Sequence, residues 1–251
     1  AVPLHFWLPD VYEASAPELA GLLSTSMKAA AVLLLMRLAA LAPASAFAGA
    51  LPAVGALTML GGSLLALRQQ NLQRLLAYSS IAHAGFLVLG VGAWAAQGAG
   101  NAGAVALFFY LAAYLFMSNG AFVFLRASGL STRAQLRGYA QREPRLAALF
   151  AVLLLSLGGI PPTAGFLAKF LILWEAMKAG LYGAATAGAL AALVSLGYYL
   201  ALMRDAYFEE PQGEPPARQL AAHEPSERLL LLACAIPAAL LGLAPWLIGG
   251  P

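Results

Sequence analysis

The chain has 251 residues, 61% hydrophobic and only 10% charged, whereas soluble domains carry about 25% charged residues. That balance excludes an ordinary soluble domain and identifies an all-α polytopic membrane protein. The net charge of +3 is too small, and too dispersed along the connections, to argue for a nucleic-acid partner.

Residues 1–16, AVPLHFWLPDVYEASA, are too short and too polar to span; a half-helix over 1–14 and a turn are expected. With no initiator Met before Ala1, an N-terminal part is expected to lie upstream. Residues 17–41 form the first full span. Lys28 comes after about eleven residues, about 16 Å at 1.5 Å per residue, near the midplane. A turn at 42–46 leads to a Gly/Ala-rich span at 47–67, suited to close helix packing. A polar hinge, RQQNLQR (68–74), precedes a span at 75–96, and a turn at 97–102 precedes an aromatic one at 103–126. Residues 127–143 make a basic connector. Segment 144–179 is too long for one straight crossing. A span at 182–204, a hydrophilic loop at 205–227 and a last span at 229–248, kinked by Pro237, complete one membrane domain over 1–251.

The long segment carries Gly158, Gly159, Pro161 and Pro162 at its middle. Glycine is costly in a helix, and proline removes a donor and clashes with the preceding turn. A helix that breaks and restarts is predicted. Freed backbone at membrane depth is tolerated only inside protein or beside water. Lys169 follows the break among Phe166, Leu167, Phe170 and Leu171, where an ammonium costs about 2.5 kcal/mol or more on insertion scales.

Basic residues orient the spans. Arg68, Arg74, Arg126, Arg133, Arg137, Arg142, Arg145, Arg204, Arg218 and Arg228 fall at one side of the alternation. The turns at 42–46, 97–102 and 180–181 contain no Lys or Arg. The 205–227 loop is therefore expected in the cytoplasm and the C-terminus outside.

In-membrane ionisable residues are expensive unless paired or used. Lys28, in STSMKAAAVLLL, is either a packing lysine bonded to a neighbouring helix or a group that gains and loses a proton. Ser24, Thr25 and Ser26 sit within a turn of it. Lys169 has the same two readings, and the adjacent break favours the second. His83, in YSSIAHAGF, is either a satisfied packing histidine or a relay, with Tyr78, Ser79 and Ser80 supplying hydroxyls. Glu175 is expected to pair with Lys178, three residues on. His5, Trp7 and Tyr12 could be interfacial anchors, and His223 is solvated in the loop. The only cysteine, Cys234, excludes an intramolecular disulfide and a cysteine-ligated cluster within the chain. The sequence has no Walker A loop, no GxGxxG after a strand and no histidine pair with zinc or haem spacing. The chain by itself is expected neither to be redox-active nor to hydrolyse nucleotides.

Four stretches belong together: HFWLPDVYE (5–13), LSTSMKAAAVLLLMRL (23–38), NLQRLLAYSSIAHAGFLVLG (71–90) and LSLGGIPPTAGFLAKFLILWEA (155–176). In order and spacing they resemble the antiporter-like, proton-translocating subunits of respiratory complex I, in particular the N-type subunits of bacterial NADH–quinone oxidoreductase. The resemblance implies part of a fourteen-helix fold of two inverted repeats, each with a discontinuous helix. Lys28 then matches the central lysine of the eighth helix and Lys169 the ionisable position of the broken twelfth. The first broken helix's lysine and its partner glutamate would lie upstream of Ala1. Gln73 stands where the family often has lysine, a departure at the hinge and not at the membrane centre.

The resemblance implies proton translocation through buried lysines, Lys28 and Lys169, with His83 a candidate between them, along a hydrated mid-membrane axis; Ser24, Tyr78, Ser79, Ser80 and Glu175 are the supporting polar candidates that spacing in this chain offers. It implies no cofactor in this chain, with NADH, FMN, iron–sulfur clusters and quinone in partner subunits. It implies other membrane-arm subunits as partners, another antiporter-like one among them, in a bacterial inner membrane. Two rivals remain: an Mrp-type cation/proton antiporter or membrane-bound hydrogenase subunit, and a structural subunit with packing lysines.

Overall fold

A computed structural model describes residues 1, 3–41, 49–211 and 225–243. The helices are α1 (Trp7–Ala14), α2 (Pro17–Leu41), α3 (Ala50–Ala66), α4 (Leu72–Ala96), α5 (Asn101–Ser128), α6 (Arg133–Leu136), α7 (Tyr139–Arg142), α8 (Pro144–Gly158), α9 (Ala164–Lys178), α10 (Tyr182–Phe208) and α11 (Pro225–Leu240), which ends in a 3-10 turn at Leu241–Leu243. No strand occurs among the described residues. Helices α2, α4, α5 and α10, together with the last segment (Ser226–Leu243), are long and apolar enough to cross a membrane; α3 and α8 are shorter apolar helices. The protein is an all-α membrane bundle with one crossing split in two. The turn at 42–46, His223, residues 212–224 of the hydrophilic loop and the chain beyond Leu243 fall outside the described residues.

Helix α4 is the axle. Of its most apolar stretch 83% is buried, against 56% or less for the other long helices. It packs on α1, α2, α3, α5 and α9. Its contact with α3 is the tightest because glycine faces backbone there: a Cβ on Gly62 would lie 2.7 Å from the Ala82 nitrogen and 2.9 Å from the Tyr78 carbonyl oxygen. Small residues let helices in lipid approach this closely, and packing replaces the missing hydrophobic drive.

Polar side chains extend three helices beyond their apolar runs. Expected to start at 75, α4 starts at Leu72, because Asn71 caps it by accepting from the Arg74 N–H at 3.1 Å. Arg74 then reaches Asp10 and Glu13 on α1, both at 2.7 Å. Gln73 donates to the carbonyls of Tyr12 and Ser15, each at 3.0 Å, and so ties down the end of α1. Helix α10 runs four residues past the expected 204, because the buried Asp205 is neutralised by Arg133 at 2.6 Å and Arg204 at 3.0 Å. Helix α11 starts at Pro225, with buried Glu227 3.5 Å from Arg126, which also holds Glu18 at 2.5 Å. These ion pairs join the basic connections at one end of the bundle. The connector at 127–143 forms two single-turn helices, the first with a capping box between Thr132 and Gln135.

Gly62→Val should lower the thermal stability of the detergent-solubilised protein by about 2 kcal/mol or more, because the clash is with backbone that cannot rotate away. Gly49→Ala, with nothing within 4 Å of its added carbon, should leave the melting temperature unchanged.

Candidate functional site

The break between α8 and α9 is a set of backbone groups that need partners. Helix α8 ends in a Schellman motif: Gly159 takes the left-handed conformation (φ 82°), the Ile160 N–H reaches the Leu155 carbonyl and the Gly159 N–H the Ser156 carbonyl, both at 3.0 Å. That leaves the last two carbonyls. Lys169, one turn and a half into α9, donates to both, at 2.8 Å to Leu157 and 3.0 Å to Gly158, and to Ser195 on α10 at 3.2 Å. On the restarting side, Ser156 accepts from the Gly165 N–H at 3.2 Å. A side chain at 165 would overlap the Ser156 carbonyl, so only glycine lets the two half-helices come this close. Lys169 itself is 5% exposed.

Lys28 sits on α2 one turn after Ser24 and donates to the Ser24 carbonyl at 2.9 Å and to Ser80 on α4. It is half-buried, because one side opens on a cavity of about 260 Å³ that His5, Tyr12 and Ser80 also line. The Ser24 hydroxyl hydrogen-bonds with Tyr114 at 2.5 Å, Ser118 at 3.1 Å and Ser80 at 3.2 Å. Thr25 and Ser26 instead bond back to carbonyls of their own helix.

Between the two lysines lies His83, 2% exposed. Its ring packs 4.9 Å from that of Tyr114, and its Nδ1 hydrogen-bonds with Tyr110 Oη at 2.7 Å. Beyond Tyr110 the row turns apolar. The Phe86 ring stacks 6.1 Å from Tyr110 on one side and lies 5.7 Å from the Lys169 ammonium on the other. The buried row therefore reads Lys28, Ser80 and Ser24, Tyr114, His83, Tyr110, Phe86, Lys169. It is hydrogen-bonded on the Lys28 side, and a cation–π contact closes it on the Lys169 side.

The structure redistributes the supporting residues expected from sequence. Ser80 serves Lys28, not His83. Ser79 faces the other way and bonds Tyr199 on α10. Tyr78 packs half-buried at the edge of the core. Glu175 pairs with Lys178 at 2.7 Å and accepts from Gln97 at 3.1 Å, near the end of α9 and away from the row. The residues sequence reasoning missed are Tyr110, Tyr114, Ser118 and Ser195, which are ordinary in apolar helices until their neighbours are known. His5, named from sequence as an interfacial anchor, is instead buried with Nδ1 unpartnered among the described residues. Among those residues no cluster of His, Cys, Asp and Glu could hold a metal ion.

A proton-antiporter family model, described as NADH:quinone oxidoreductase/Mrp antiporter, transmembrane, matches residues 1–195. The chain belongs to this family. A curated relative in the NADH:quinone oxidoreductase/Mrp antiporter family, NAD(P)H-quinone oxidoreductase subunit 2 of Picosynechococcus sp., is 40% identical over 219 residues, 84% of this chain and 41% of that protein. NADH-quinone oxidoreductase subunit N 2 of Sorangium cellulosum is 39% identical over 263 aligned positions, 97% of this chain and 50% of that protein. A chain of Thermus thermophilus respiratory complex I with bound aureothin superposes with a TM-score of 0.82 at 37% identity, covering 98% of this chain and 54% of that one. The chain thus spans about half the length of the relatives it matches.

Tyr110→Phe would leave His83 Nδ1 buried without a partner and should cost about 1–3 kcal/mol of stability in denaturant titrations. Tyr78→Phe, at the edge of the core, should stay within about 0.5 kcal/mol of the unaltered protein.

Proposed function

We propose that this chain, as one membrane domain over 1–251, is part of a proton-translocating membrane-arm subunit of an NADH–quinone oxidoreductase. The observation that carries the reading is the buried row that joins Lys28 to Lys169 through His83. Among the described residues each lysine is held by hydroxyls and carbonyls and not by a carboxylate. Neutral acceptors leave a lysine free to exist with or without its proton, and the neighbouring charge then decides which form is present. One pKa unit is about 1.4 kcal/mol and moving a charge through 100 mV about 2.3 kcal/mol. A change of about two units at one lysine covers one such step.

In this reading water threads the row when the protein works. Lys28 and Lys169 alternate between charged and neutral, His83 with Tyr110 and Tyr114 passes protons between them, and Ser24 and Ser80 hold the entry lysine. Ser79, Tyr78 and Glu175 take structural parts. Electron transfer, with NADH, FMN, iron–sulfur clusters and quinone, belongs to other subunits. The neighbours are membrane-arm subunits, a second antiporter-like one among them, in a bacterial inner membrane. The basic end with the 205–227 loop faces the cytoplasm and the C-terminus the outside, following the excess of arginine in those connections. The family description covers Mrp antiporters too. The complex I reading is favoured by the relatives, which are quinone oxidoreductase subunits, and by lysines where a sodium site needs oxygen ligands.

Lys169→Ala in the full-length protein should leave assembly largely intact and cut proton pumping coupled to quinone reduction to a small fraction. Pumping at the unaltered level in reconstituted vesicles would remove Lys169 from the path.

A further inference from the structure

A groove of about 400 Å³ lies between the first turns of α8 and α11, apart from the lysine row. That volume is in the range of ligand pockets. Arg145, Arg228 and Glu143 line it together with Leu146, Leu149 and Leu232. Arg74, Arg126, Arg133 and Arg204, at the same end of the bundle, each hold a carboxylate. Arg145 and Arg228 are exposed and form no ion pair with a described residue. The contact between Arg126 and Glu227 fixes the first turn of α11 against α5, so Arg228 is held at the groove by a helix end that is itself anchored.

The two kinds of surface call for one kind of occupant. A soluble anion would pair with the arginines and leave the leucine wall unused. An apolar helix would cover the leucines and leave two guanidinium groups facing it without acceptors. A lipid with a phosphate head uses both, since arginine forks match phosphate oxygens and basic pockets between helices at the membrane surface suit anionic headgroups. Among the described lining residues, two arginines and one glutamate make the groove basic, which suits a phosphodiester. We propose that this groove binds an anionic phospholipid of the leaflet at the basic end, with its phosphate between Arg145 and Arg228 and an acyl chain along Leu149 and Leu232.

The test is native mass spectrometry on the whole protein in mild detergent, titrated with phosphatidylglycerol, phosphatidylcholine or inorganic phosphate. The unaltered protein should bind phosphatidylglycerol in preference to phosphatidylcholine, and high salt should weaken that preference. The exposed double substitution Arg145→Gln/Arg228→Gln should reduce the preference about tenfold or more, as expected for lost charge-assisted hydrogen bonds, with an unchanged melting temperature. Leu232→Gln should weaken phosphatidylglycerol binding without restoring phosphatidylcholine. Equal binding of the two lipids by the unaltered protein overturns the proposal whatever the variants do. Equal binding of inorganic phosphate makes it an anion site only and overturns it too. So does efficient cross-linking of an Arg145→Cys variant to a polypeptide in native membranes.

Discussion

The donation of the Lys169 ammonium to the two carbonyls at the end of α8 is the contact on which the rest depends. A helix broken at membrane depth must find partners for its last carbonyls, because no water replaces them in lipid. The Schellman turn satisfies two of them and Lys169 the next two. The cost of the break and the cost of a buried cation therefore offset each other. Gly159 supplies the left-handed turn, and Gly165 lets the second half-helix approach close enough for its lysine to reach back.

The same contact explains why the bundle is built around α4. Lys169 needs a wall that does not compete for its proton, and Phe86 of α4 supplies an aromatic face. One turn away on α4, His83 meets Tyr110 and Tyr114 of α5, and Ser80 meets Lys28 of α2. One face of one helix, at positions 80, 83 and 86, thus carries the row from one lysine toward the other. Glycine contacts with α3 hold the opposite side of that helix, so the face cannot rotate without separating two backbones.

Much of this was legible in the sequence, for physical reasons. A chain this apolar has few folds open to it, and a Gly-Gly…Pro-Pro run inside an apolar segment can only be a break. Lys28, His83 and Lys169 stood out because ionisable groups are costly in such surroundings. What could not be read was which hydroxyl meets which ionisable group. Ser79 and Ser80 are adjacent in sequence, but successive residues on a helix point about 100° apart. One therefore faces Tyr199 and the other Lys28. Tyr110 and Tyr114 looked like two more aromatics of a packed helix, and only the pairing of α5 with α4 makes them partners of His83. Helix ends moved for a similar reason: Arg74, Asp205 and Glu227 are polar enough to suggest loops, and ion pairs across the bundle end keep them in helices.

The central claim is that Lys28 and Lys169 lie on one path and not on two. The direct measurement is proton pumping per quinone reduced in vesicles containing the whole oxidoreductase complex, with the full-length subunit carrying Lys28→Leu, Lys169→Leu or both, read as a double-mutant cycle. On one path, either substitution interrupts transfer and the double variant loses no more than the worse single one. Losses that add, with each single variant retaining a separate share of pumping, would contradict the account.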